Sequence, residues 1–109
     1  MVSRESILMT DTPYYSLEKI KRLLRNSDTR IITRRDRQEA AALGYADDDE
    51  MVDRVSQVTL DEFKKKMPSE DMPGYWQDVY NSIEPDGTKI YIKLQIREES
   101  GVIISFKRK

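Results

Sequence analysis

The chain has no cysteine and no histidine. The first absence removes a disulfide framework, a thiol nucleophile and every thiolate metal site. The second removes the commonest metal ligand and the commonest general base. A zinc enzyme, a serine–histidine triad and a cysteine protease are excluded together, and no metal or cofactor is expected. Long apolar runs are also lacking. Ile7-Leu8-Met9 is too brief for the apolar region of a signal peptide, and nothing approaches the ~20 residues a membrane span needs. Neither a membrane partner nor an oxidising compartment is indicated, so the cytoplasm is the expected location.

Chemistry is left to Lys, Arg, Asp, Glu, Tyr, Ser and Thr. A length of 109 residues allows one ordinary domain. The formal net charge of −1 conceals segregation by sign. Residues 17–39 carry eight basic and four acidic side chains, residues 40–63 one basic and seven acidic, and residues 87–109 six basic and two acidic. Blocks of opposite sign suggest a polarised surface with one face suited to polyanions.

Residues 1–14 read as a loose arm and residues 15–109 as a single domain. Ser16 can cap a helix whose apolar series is Leu17, Ile20, Leu23 and Leu24. Asn26-Ser27-Asp28 ends it, and Ile31-Ile32 reads as a short extended link. Thr33 to Asp36 resembles a capping box for an alanine-rich helix that stops at Gly44. The run Asp47, Asp48, Asp49, Glu50 opens a third helix, where the macrodipole favours negative charge. Thr59 to Glu62 is a full capping box. It predicts a short fourth helix that buries Phe63 and Met67, exposes Lys64, Lys65 and Lys66 together, and stops at Pro68.

From Gly74 the apolar period changes to two. Strands are expected over 75–83, 88–98 and 102–109, joined at Pro85-Asp86-Gly87 and Glu99-Ser100-Gly101. Helices first and a meander last predict an α+β fold, with three to four helices on one face of a small antiparallel sheet. The middle strand alternates cleanly: Ile90, Ile92, Leu94 and Ile96 form the core face, and Lys89, Tyr91, Lys93, Gln95 and Arg97 the other. A three-residue loop with left-handed Gly101 would pair Ile96 with Ile104 and Leu94 with Phe106. On the second face it would set Gln95 against Ser105 and Lys93 against Lys107, with Tyr91 diagonal to Lys107. Opposed lysines are destabilising unless an anion lies between them. The turn at 85–87 places Gln77, Val79 and Asn81 on that face, turns Trp76 and Tyr80 into the core, and leaves Asp78 toward the helices.

Trp76-Gln77-Asp78-Val79-Tyr80, Ile90-Tyr91-Ile92-Lys93-Leu94 and Val102-Ile103-Ile104-Ser105-Phe106-Lys107 occur in order, with Asp61-Glu62-Phe63-Lys64-Lys65-Lys66-Met67 upstream. In these segments the sequence resembles the MqsR family, RNA-cleaving toxins of bacterial toxin–antitoxin pairs with a RelE-like fold. The resemblance implies an active site of Lys65, Gln77, Tyr91 and Lys107. It further implies a single-stranded messenger RNA substrate, a cognate antitoxin as partner, and metal-independent cleavage through the ribose 2′-hydroxyl. Lys64, Lys66, Lys93, Arg97 and Lys109 are the expected RNA-backbone contacts. Two other readings stand beside this one: a basic sheet that binds nucleic acid or an acidic protein without cutting, and a nuclease that works only on the ribosome.

Overall fold

Each of the three α-helices among the described residues begins at a side chain suited to cap it. Ser16 Oγ accepts from the Lys19 N–H at the head of α1 (Leu17–Arg25). Thr33 Oγ1 accepts from the Asp36 N–H at the head of α2 (Arg34–Ala42). Asp47 Oδ1 accepts from the Glu50 N–H at the head of α3 (Asp48–Ser56). Such caps satisfy amide groups that the first turn leaves unpaired, each typically worth ~1 kcal/mol. Gly44, at φ +96°, lets the chain turn out of α2. The computed structural model describes residues 12–109, so most of the expected N-terminal arm lies outside the described residues. Within it, the ring of Tyr14 stacks on Trp76 with centroids 5.4 Å apart.

The fold is α+β, with a five-stranded sheet in the order β1-β5-β4-β3-β2. Its strands are β1 (Arg30–Ile32), β2 (Phe63–Pro68), β3 (Trp76–Ile83), β4 (Lys89–Arg97) and β5 (Ser100–Arg108). β1 runs parallel to β5 and the other pairs are antiparallel, so the sheet is mixed. Two segments differ from the sequence reading. Ile31-Ile32 belongs to an edge strand rather than a link. The fourth helix is a single 3-10 turn (Leu60–Glu62) carrying the expected capping box, and residues 63–68 pair with β3 as a strand. Without β2, the outer edge of the eight-residue β3 would expose a row of unpaired backbone groups. Six residues ending in proline satisfy that edge better than they extend a helix, and lysines suit an edge strand.

The β3–β4 register is the expected one, with Ile83 opposite Lys89, Asn81 opposite Tyr91 and Val79 opposite Lys93. The β4–β5 register is not. The hairpin turns at Glu98-Glu99, with Glu98 itself in the left-handed region at φ 55°. Gly101 lies within β5, where an added Cβ would stand 3.2 Å from the Ile20 carbonyl oxygen, Leu23 Cβ and Leu24 Cγ. Its role is therefore the close approach of α1 to the sheet rather than the turn. A bulge at Ile104 follows, so that Leu94 faces Ile103 while Lys93 faces Ser105, Ile92 faces Phe106 and Tyr91 faces Lys107. Lys93 and Lys107 are therefore diagonal neighbours, and Ile104 leaves the core face.

One face of the sheet carries the core. Tyr80, Ile90, Ile92, Leu94, Ile103 and Phe106 pack with Ile20 and Leu24 of α1 and Met51 and Val55 of α3. Trp76 is half-buried. Asp78, fully buried on this side, accepts the N–H groups of Tyr14 at 2.9 Å and Tyr15 at 2.8 Å. Burial raises its pKa, and those two hydrogen bonds oppose the rise.

Candidate functional site

The second face carries no such apolar layer. Strand pairing places Lys65 and Met67 of β2 on it, together with Gln77, Val79 and Asn81 of β3. β4 adds Tyr91 and Lys93, and β5 adds Ser105 and Lys107. Three of the four expected catalytic residues reach this face through β3, β4 and β5. The fourth, Lys65, reaches it because β2 is a strand.

Tyr91 and Lys107 meet directly. The Lys107 Nζ lies 5.5 Å from the Tyr91 ring centroid and the Lys93 Nζ lies 5.7 Å from it. One phenol ring is therefore shared by two ammonium groups, within the range of a cation–π interaction. Lys93 holds the middle of the face. Burial lowers its pKa, the charge of Lys65 lowers it further, Glu70 opposes this and Arg35 adds to it. Val79 stands between Lys65 and Lys93 in the sheet and is only 1% exposed, as expected if the lysine stems cover it. Gln77 is farther off. It lies four residues from Asn81, the partner of Tyr91, or about 14 Å along an extended strand. Its Nε2 donates to Ser69 Oγ at 3.4 Å, and it lines a 230 Å³ pocket with Met67, Glu70, Asp71, Lys93, Ile104 and Ser105. The four expected residues therefore frame a cationic strip centred on Lys93 and do not form one tight cluster.

The remaining expected contacts divide. Arg97 lies at one end of the strip, donating to Gln95 Oε1 at 3.2 and 3.1 Å. Lys109 extends beyond β5, its N–H bonded to the Lys89 carbonyl at 2.9 Å. Lys64 is the exposed extra residue of a bulge in β2. Lys66 faces the other way, paired with Asp78, so the three lysines are not presented together. Two side chains outside the expected site residues also reach this face, Asn81 as the register predicted and Arg35 unforeseen. Asn81 stands opposite Tyr91 with its Oδ1 buried and unpartnered among the described residues. Arg35, from the first turn of α2, lines the pocket with Gln77 and Lys93. Asn81 was legible from the β3 register, whereas nothing in the helical pattern marks Arg35 from its neighbours.

All four salt bridges among the described residues lie away from this face: Lys21–Glu18, Arg30–Asp49, Arg37–Asp48 and Arg54–Glu84. Lys65, Lys93 and Lys107 have no carboxylate within salt-bridge distance. Among the described residues no group of three or more acidic side chains is placed to hold a metal ion. Lysine, glutamine and tyrosine at such a surface can bind an anion, stabilise added negative charge and move a proton.

Helices packed with a five-stranded mixed sheet, one face of which bears Lys65, Lys93 and Lys107, define an α+β protein. The family model described as "Motility quorum-sensing regulator, toxin of MqsA" matches residues 12–108, and the chain belongs to that MqsR toxin family. It is a toxin of a toxin–antitoxin pair, with an antitoxin as its cognate partner. No curated protein matches the chain. Among the described residues no helix is long and apolar enough to cross a membrane.

Proposed function

We propose that this toxin is a metal-independent endoribonuclease that cuts single-stranded messenger RNA in the cytoplasm. The observation that carries the reading is Tyr91 with the Lys93 and Lys107 ammonium groups 5.7 and 5.5 Å from its ring, neither of them ion-paired to a carboxylate. RNA brings its own nucleophile. The ribose 2′-oxygen attacks the adjacent phosphorus, its proton passes to a base, and the bond from phosphorus to the 5′-oxygen breaks. The leaving oxygen takes a proton, so the products are a 2′,3′-cyclic phosphate and a 5′-hydroxyl.

Lys107 and Lys65 stabilise the extra charge on the phosphorane-like transition state. Lys93 is the lysine best suited to accept the 2′-proton, because burial and the neighbouring Lys65 disfavour its charged form. Tyr91 delivers the proton to the leaving 5′-oxygen, and Gln77 holds the nucleotide at the pocket. Lys64, Arg97 and Lys109 follow the flanking phosphates. Lys66 faces away and has no part in this scheme.

The test is incubation of the protein with a labelled, unstructured RNA in excess EDTA, beside Lys107→Ala and Tyr91→Phe variants. Discrete cuts ending in a cyclic phosphate, lost in both variants, are expected. RNA left intact by the wild type but cut once translating ribosomes are added would move the reading to a ribosome-dependent enzyme. RNA bound and never cut would make this a binding module.

A further inference from the structure

Arg35 differs from four other arginines of the fold in having no partner among the described residues. Arg30, Arg37 and Arg54 are each neutralised by a carboxylate, and Arg97 is held by Gln95. Arg35 is exposed, and no hydrogen bond or ion pair holds it among the described residues. It is nevertheless well rooted. It sits in the first turn of α2, behind the Thr33 cap, in a helix that packs against β5.

Two pockets open on the second face, of 230 and 370 Å³, and only Arg35 and Ile104 line both. The smaller contains Gln77, Lys93 and Ser105, with Glu70 and Asp71 at its wall; the larger contains Ile31, Val102 and Arg97. The bulge that turns Ile104 out of the core supplies an apolar ridge between them, and Arg35 supplies a cation at the same place. A planar guanidinium with free donors at the junction of two part-apolar hollows matches a nucleic-acid strand, whose phosphates alternate with bases.

We propose that Arg35 is a substrate-positioning residue that grips the RNA phosphate next to the scissile one. The flanking nucleotides then occupy the two pockets on either side of Ile104. The strand runs from the Tyr91–Lys107 end of the face toward Arg97. This assignment rests on the RNA-cleaving reading above, and it adds a contact from a helix to a site otherwise built on strands.

The test measures binding of a fluorescent 2′-O-methyl RNA, which lacks the nucleophile and stays intact, as a function of salt. Arg35→Ala is expected to weaken binding about tenfold and to reduce the slope of log K against log salt by about 0.7, one phosphate contact on a single strand. Arg35→Lys is expected to restore most of the slope. Arg34→Ala, exposed on the same turn and lining neither pocket, is expected to leave it unchanged. With cleavable RNA, Arg35→Ala is expected to raise KM and leave kcat near wild type. An unchanged slope in Arg35→Ala, or an equal loss in Arg34→Ala, overturns the assignment. A wild type that binds through Arg35 but never cuts removes the nuclease reading and leaves the phosphate contact standing. A wild type that does not bind at all overturns both.

Discussion

The two faces of the sheet treat charge in opposite ways. On the helix-covered face each buried charge is answered. Asp78 receives two backbone N–H groups, and Arg54 donates to Ser82 at 2.5 Å and Glu84 at 3.4 Å. On the other face Lys65, Lys93 and Lys107 have no acidic partner within salt-bridge distance. A buried ion without a partner is costly, which accounts for the first pattern. On the second face Lys65 and Lys107 are exposed, where an unpaired charge costs little, and only Lys93 is partly buried, its charged form disfavoured by burial and by the neighbouring Lys65. The comparison sets a packed, charge-compensated face against one whose lysines have no ion-pair partner, the face on which the proposed RNA chemistry rests.

Substitutions should separate the two faces. The largest effect is expected on the cationic face. Lys107→Ala and Tyr91→Phe should each slow RNA cleavage by about 100-fold or more, with thermal midpoints close to wild type. Normal cleavage in both would erase the distinction between the faces. Asp78→Ala should do the reverse. It leaves the Tyr14 and Tyr15 N–H groups without their acceptor and should cost about 2–3 kcal/mol in denaturant unfolding, with RNA affinity retained by the folded fraction. Gly101→Val pushes a side chain against the α1 backbone and should cost about 1–3 kcal/mol by the same measurement.

Two smaller effects depend on pH. Burial, and after it the hydrogen bond to Glu84, pushes the Tyr45 hydroxyl from 10.0 up to about 12. A folded-state value above the unfolded one contributes stability that is complete below pH 10 and is lost as pH rises to about 12. Tyr45→Phe should remove that part of the alkaline fall, read from unfolding curves across the interval. On the other face, Lys65→Ala removes a repulsion from Lys93, so the Lys93 titration midpoint should move up toward its ordinary value. An unmoved or falling midpoint by side-chain NMR would mean that the two lysines do not share one field.

Much of the fold was readable wherever a local device sets it. The Ser16, Thr33 and Asp47 caps act within three residues. Pro85-Asp86-Gly87 sets the β3–β4 register through a glycine at φ +89°. The β4–β5 hairpin misled because Gly101 looked like the turn residue, while packing against α1 claimed it and Glu98 took the left-handed position instead. Even so, Tyr91 and Lys107 stayed on the expected face. Side chains alternate with period two, and near Lys107 the register differed from expectation by two residues.

By itself, then, the sequence determined the helix starts, the change of period at Gly74 and the common face of Gln77, Tyr91 and Lys107, since capping and alternation act over a few neighbouring residues. Tertiary structure alone decided that residues 63–68 form a strand, that Lys65 joins that face while Lys66 leaves it, and that Arg35 reaches it from a helix. Those outcomes depend on which sheet edge lacked a partner and on how closely α1 approaches β5. Such contacts join residues far apart in the chain, and no local pattern encodes them.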